Sequence, residues 1–266
     1  MSSEICLSVA LVTRDRPDLL HNCLTSLHAQ SVQPYEVIVS DDSSAEHAWA
    51  TRAIAERHGC TYHSGPHRGL YANRNFVAGR CNGSHIRTMD DDHILPPDHL
   101  ARCLEAVQSD PIAVWTTGEI GYLQGKLVGV AETANQLGPA GVGEPIKNRD
   151  DNWGVSDGST IYPRAVFDLG FQMVEEFGFG SSYLEFGAYL YSRGWKSRCV
   201  SGAMIEHYVA NLNQPDPMSH LFASICFNRY FRPSTMQLIR YLAPQWNRWR
   251  SVTRLLNKAH QRWTKS

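Results

Sequence analysis

The chain is expected to be an α/β protein with a mixed, mainly parallel sheet flanked by helices, and three observations carry that expectation. Residues 5–12 form an unbroken apolar run of strand length, which suits a strand buried on both faces of a parallel sheet. Strand and helix patterns alternate from there to residue 110, as in a doubly wound layer. Three successive strand ends carry polar residues, Thr13-Arg14, Asp41-Asp42 and Asp90-Asp91-Asp92, and open α/β sheets bind ligands at such carboxyl ends.

The elements follow in order. The first strand breaks at residues 13–17, where Pro17 suits a first helical turn because its missing N–H would be unpaired there anyway. Leu19, Leu20, Cys23, Leu24 and Leu27 then recur at helical spacing. Residues 35–40 read as a second strand, 45–58 as a helix, 60–63 as a short strand and 71–81 as a helix. Residues 84–89 are the strand that feeds the acidic triplet, with a turn and a helix from Pro97 behind it. From Val114 the pattern changes to a meander of short strands at 114–117, 120–123 and 127–130. Residues 133–152, rich in Gly, Pro and Asn, read as a long loop able to close over a site. A strand at 158–162, helices at 164–169 and 184–193, and an extended segment at 195–205 ending at Glu206-His207 complete the body.

The triplet needs a physical reason. Adjacent carboxylates repel, so an apolar strand that ends in three of them is expected to hold a cation. A divalent ion with hard oxygen ligands and a diphosphate counter-ligand suits the place. The competing reading is a solvated acidic turn.

Composition bounds the rest. The 266 residues carry a net charge of −1 that hides an asymmetry: Asp216 is the last acid, and nine basic residues follow it. The seven cysteines are scattered, without a CxxC pair, which suits reduced core thiols better than a disulfide framework. Neither a leader peptide nor a membrane-spanning run of about 20 apolar residues is evident.

Residues 7–16 (LSVALVTRDR), 31–44 (SVQPYEVIVSDDSS), 69–75 (GLYANRN) and 90–96 (DDDHILP) together resemble the family 2 glycosyltransferases with the GT-A fold. The likeness is dense over residues 5–110 and looser to 210. It implies a nucleotide-sugar donor, most often a UDP-sugar, with Mn²⁺ or Mg²⁺ and an inverting transfer to a hydroxyl of a glycan or lipid-linked acceptor. It places Thr13 and Arg16 by the nucleotide and gives Asp42 a hydrogen bond from the base ring. Arg74 would meet the diphosphate or the base, Asp90 and Asp91 the ribose and sugar hydroxyls, and Asp92 the metal. The motif reads either as Asp90-x-Asp92 or as Asp91-Asp92, and Asp92 belongs to both. His207 falls where many GT-A enzymes place a further metal ligand. The chemistry is consistent with this: the leaving diphosphate gains charge that a bound cation and an arginine fork can stabilise.

An inverting transfer also needs a general base beside the acceptor hydroxyl. The family places it in an acidic pair at the start of a late helix, but here Ser182 and Tyr183 stand at that place. Glu185 is the nearest remaining carboxylate and the expected base, with Asp157, Glu175 and Glu176 as alternatives. Trp153, at the edge of the long loop, could stack on a sugar or sit in the core.

These readings divide the chain into a transferase domain, 1–216, and a basic helical appendage, 217–266. Residues 1–110 would bind the nucleotide sugar and 111–216 the acceptor. Within the tail, Trp246, Trp249, Val252, Leu256, Ala259 and Trp263 fall on one side of a helix, and Arg250, Arg254, Lys258 and Arg262 on another. That pattern suggests a helix lying on an anionic membrane surface, or one docking its apolar side on the body. The expected setting is cytoplasmic, peripheral to the inner face of the cell membrane, and no nucleic-acid partner is expected. Two rival readings remain. A nucleotidyltransferase would call for a Gly-rich phosphate loop after the first strand, and residues 13–17 hold no glycine. A catalytically weak or inactive sugar-nucleotide or glycan-binding subunit would have lost its base.

Overall fold

The computed structural model describes residues 5–209, 214–231, 235–243 and 249–264. The first half runs β1 (Leu7–Thr13), α1 (Pro17–His28), β2 (Glu36–Asp41), α2 (Ala45–Arg57), β3 (Thr61–Ser64), α3 (Leu70–Ala78), β4 (His85–Asp90), β5 (His93–Ile94) and α4 (His99–Ser109). The second half contains β6 (Val114–Leu123), β7 (Lys126–Ala131), β8 (Asn135–Leu137), β9 (Gly143–Pro145), β10 (Thr160–Pro163), α5 (Ala165–Asp168), α6 (Ser182–Ser192) and β11 (Ser197–Val209). Three helices follow, α7 (Pro217–Phe231), α8 (Thr235–Leu242) and α9 (Trp249–Thr264).

Among the described residues the main sheet has the order β3-β2-β1-β4-β10-β6-β11-β5, with β7 added along β6. β3, β2, β1 and β4 run parallel to one another, which brings Thr13, Asp41 and Asp90 to one edge. β1 is buried along its whole length. Leu7, Val9 and Leu11 meet Leu20 and Leu24 of α1 and Leu100 and Val107 of α4 on one face. Ala10 and Val12 meet Val77 and Ala78 of α3 on the other.

The second half departs from the expected meander. Residues 114–123 form one strand, because both its edges are paired: first with β10 and β11, then with β7 and β11. The long loop holds the β8–β9 hairpin. Trp153 is a packing residue there: its indole N–H donates to the Leu137 carbonyl (2.9 Å) and its ring lies 4.3 Å from that of Phe231. The two-residue strand β5, unforeseen in the sequence, pairs antiparallel with β11 and sets His93 opposite His207.

Helices α7 and α9 pack into the same core as α6, and Leu238 of α8 lies against it. Val252, Leu255 and Ala259 of α9 are buried with Phe186 and Leu190 of α6 and Phe222 of α7. The apolar side of α9 therefore faces the body, where an interfacial helix would have turned it outward. The expected basic row is also interrupted: Lys258 pairs with Glu176 (2.5 Å), and Arg262 is drawn inward to Glu185. Residues 244–248, including Trp246, lie outside the described residues.

Glu185 carries the main correction to the sequence reading. It is fully buried, accepts a hydrogen bond from Arg262 Nε (2.5 Å) and another from the Tyr230 hydroxyl, and so clasps α6 to α9 and α7. A carboxylate sealed in this way cannot reach an acceptor hydroxyl. Breaking one side of a buried ion pair leaves the other charge uncompensated, which costs roughly 3–5 kcal/mol. Arg262→Met is therefore expected to lower unfolding free energy by about that amount in urea titrations. A loss below about 1 kcal/mol would place the pair among surface bridges.

Candidate active site

The carboxyl edge of the sheet opens into a crevice of about 910 Å³. Thr13, Arg16, Asp42, Asp90 and Asp92 line it from the first half, and Glu119, Asp157, Tyr183 and His207 from the second. The strand ends are tied together by Asp15, which adopts φ 55°. Its N–H donates to Ser43 Oγ (2.7 Å), and its Oδ1 accepts from the Ser44 N–H (2.8 Å). Asp42 Oδ1 accepts the His67 N–H (2.9 Å) at the crevice wall.

The triplet divides into three environments. Asp90, the last residue of β4, lines the crevice and receives two hydrogen bonds from Arg74 Nη2 (2.8 and 2.6 Å). Asp91 points inward and is fully buried. It accepts the Thr13 hydroxyl (2.6 Å) and faces Arg16 Nη2 at 2.5 Å. Burial and the neighbouring acids outweigh Arg16 and raise its pKa to about 7. Asp92 turns back to the crevice, with Oδ2 accepting from Arg16 Nη1 (2.9 Å).

Asp92 Oδ1 faces two imidazoles, His207 Nε2 at 3.6 Å and His93 Nε2 at 3.9 Å. Both distances exceed a hydrogen bond. Asp92 Oδ1 and both His93 nitrogens are buried without a hydrogen-bond partner among the described residues. The three ligand atoms lie within 4.8 Å of one another, close enough that a shift of a few tenths of an ångström would let all three reach one ion at about 2.0–2.2 Å. Burial alone would raise the Asp92 pKa, but His207, His93 and Arg16 together hold it below the usual carboxylate range. His207 Nδ1 is 2.8 Å from Glu119 Oε1. Burial opposes its protonation, yet the two flanking carboxylates raise its pKa to about 10.

Arg74 lies behind this surface. It is buried and pairs with both Asp90 and Asp157, so its guanidinium does not face the crevice as the resemblance implied. Asp91 is likewise withdrawn from any donor hydroxyl. Gly158 (φ +77°) packs against Asp90, and a Cβ there would run into that carboxylate. Of the alternative bases, only Asp157 lines the crevice. Glu175 pairs with Arg68 (3.1 Å) and Glu176 with Lys258. Burial raises the Asp157 pKa and Asp90 adds to that, against the pull of Arg74.

Sequence reasoning missed His93 and Glu119. His93 adjoins the triplet, and its adjacency was the available signal, but its orientation depends on the β5–β11 register. Glu119 belongs to the site through the pairing of β6 with the other edge of β11.

Asp91 gives the site a pH signature. Its folded pKa, about 7, lies above the unfolded value. Its contribution to stability is therefore full at low pH and lost as pH rises through neutrality. In metal-free protein, the stability of Asp91→Asn relative to the natural chain is expected to improve by about 2–3 kcal/mol from pH 5 to pH 8. Parallel pH profiles of the two proteins in thermal or urea unfolding would refute this protonation.

The family described as glycosyl transferase family 2 matches residues 8–167. No curated protein matches the sequence. Among solved structures, GalNAc-T7 with UDP, GalNAc and Mn²⁺ superposes with a TM-score of 0.70 at 13% identity, over 92% of this chain and 55% of that one. S. aureus TarS 1–349 in complex with UDP-GlcNAc gives 0.67 at 16% identity, over 90% and 72%. A longer TarS chain is covered to 41%. These likenesses are of fold: a curled mixed sheet with flanking helices of the GT-A kind.

Proposed function

The chain belongs to glycosyl transferase family 2, and from that membership and the crevice geometry we propose that it transfers a sugar, with inversion, from a UDP-sugar to a hydroxyl of a glycan or lipid-linked acceptor. The observation that carries the reading is the meeting of Asp92 Oδ1 and the His93 nitrogens, buried without hydrogen-bond partners, with the His207 imidazole beside the crevice. The UDP and Mn²⁺ in the GalNAc-T7 structure and the UDP-GlcNAc in that of TarS support the choice of donor.

In this reading residues 1–110 bind the donor and residues 111–216 present the acceptor. Asp42 accepts a hydrogen bond from the base ring, Thr13 and Arg16 border the nucleotide, and Asp90 takes a donor hydroxyl. Asp92, His93 and His207 hold a divalent ion, Mn²⁺ or Mg²⁺, and two imidazoles favour Mn²⁺. When bound, that ion supplies Lewis-acid stabilisation of the leaving diphosphate. Glu119 fixes the His207 ring through Nδ1 and turns Nε2 toward Asp92, the usual outer-shell arrangement for a ligating histidine. Asp157 is the general base: it faces the crevice, and its raised pKa gives it more proton affinity than a free carboxylate. It takes the acceptor proton as the hydroxyl attacks the anomeric carbon opposite the diphosphate.

A second reading rests on Tyr183, which lines the crevice where the family's acid pair was expected. It makes the protein a sugar-nucleotide-binding subunit with little or no turnover.

The two readings separate on Asp157→Asn. Transfer is expected to fall by about 10²–10⁴-fold with UDP affinity within a few-fold of the natural chain. Unchanged turnover removes Asp157 as base, and no turnover by the natural chain with any donor favours the binding subunit. For the metal, Asp92→Asn is expected to abolish Mn²⁺-dependent UDP binding in calorimetry, and Glu119→Gln to weaken Mn²⁺ binding by about 10–100-fold. Natural affinity in Asp92→Asn would sink the metal assignment.

A further inference from the structure

The charge asymmetry of the chain has a use that α9 does not account for. Residues 217–266 contain nine basic residues and no acid. In α9 the apolar side is covered by the body, and Lys258 and Arg262 are engaged with Glu176 and Glu185. Among the described residues of this region, exposed apolar side chains lie on α8. Met236 and Ile239 are 63% and 52% exposed. Arg240 and Ala243, the latter one residue beyond the helix, are exposed as well. Positions 236, 239, 240 and 243 follow the i, i+3, i+4, i+7 spacing and share one helical face. Leu238, on another side, packs against the core of α6, α7 and α9. One side of α8 is thus anchored, while another presents apolar side chains beside an arginine. Arg254 on α9 is exposed and adds to the positive field.

We propose that this face of α8 docks on an anionic membrane surface. The occupant must bury Met236 and Ile239 and also complement a 50-residue segment whose side-chain charges are all basic. Anionic lipid offers both at once: acyl chains just below a layer of negative headgroups. Among the described residues no helix is long and apolar enough to cross a membrane, so the contact is one of surface docking. The proposal stands on exposure and charge, independently of the transfer chemistry.

The test uses the full chain in co-sedimentation with vesicles of phosphatidylcholine containing phosphatidylserine, against pure phosphatidylcholine. Binding is expected to the anionic vesicles, to weaken with added salt, and to fall about tenfold or more in Ile239→Glu. Met236→Glu provides a second, separately folded check. Both positions are exposed, so melting temperature and UDP affinity are expected to stay at natural values, which distinguishes lost docking from lost fold or lost site. The proposal is overturned if the natural chain ignores anionic vesicles, if it binds both vesicle types equally, or if both variants bind as it does. Capture by an acidic protein without any vesicle binding would overturn it as well.

Discussion

Three carboxylates in a row at a strand end repel one another unless cationic groups are brought to them, and most of the site follows from that requirement. Arg16 reaches across from the end of β1 to bind Asp91 and Asp92 together. Arg74, from α3, takes Asp90 and carries Asp157 with it. His93 and His207 face the remaining oxygen of Asp92. These partners come from separate elements, so compensating the triplet also ties the end of β1, α3, β5 and β11 together around the crevice. The backbone contributes too, with the Tyr208 N–H donating to the Asp92 carbonyl (2.9 Å).

This division explains why neighbours in sequence have unlike properties. Leaving an extended strand, successive side chains point to opposite sides. Asp91 therefore turns into the core while Asp90 and Asp92 turn to the crevice. Low dielectric raises the Asp91 pKa to about 7, whereas two imidazoles and a guanidinium hold Asp92 ionised. A carboxylate kept anionic beside open ligand atoms suits a cation site, and one buried behind it suits positioning Arg16.

How far the sequence could be read depends on the range of the interaction involved. The parallel half was legible because burial on both faces leaves continuous apolar runs, and a proline placed at the start of α1 marked its first turn. Asp42, Asp90 and Asp92 were legible as crevice residues because a strand end positions its next residue locally. Arg74 was misread since its partners, Asp90 and Asp157, meet it only through the pairing of β4 with β10. His93 and Glu119 depend on the registers of β5 and β6 against β11, which no local pattern encodes. The wheel of α9 correctly showed an apolar side, but periodicity alone does not say whether lipid or protein covers it.

Glu185 ties the two ends of the charge asymmetry together. An acid at that position on α6 lies beneath α7 and α9, where a bare carboxylate would be costly. Arg262 supplies the compensating charge, and its guanidinium sits 4.1 Å from the Tyr189 ring centroid. Part of the basic excess after Asp216 is thus a structural complement to the acidic body. The same helix α6 begins with Ser182 and Tyr183, so its amino end brings a phenol to the crevice where the family resemblance called for carboxylates. With Glu185 facing inward and Tyr183 outward, α6 offers no carboxylate to an acceptor. On the proposed reading the proton acceptor is then Asp157, which lines the same crevice from the loop before β10, where Arg74 holds it together with Asp90.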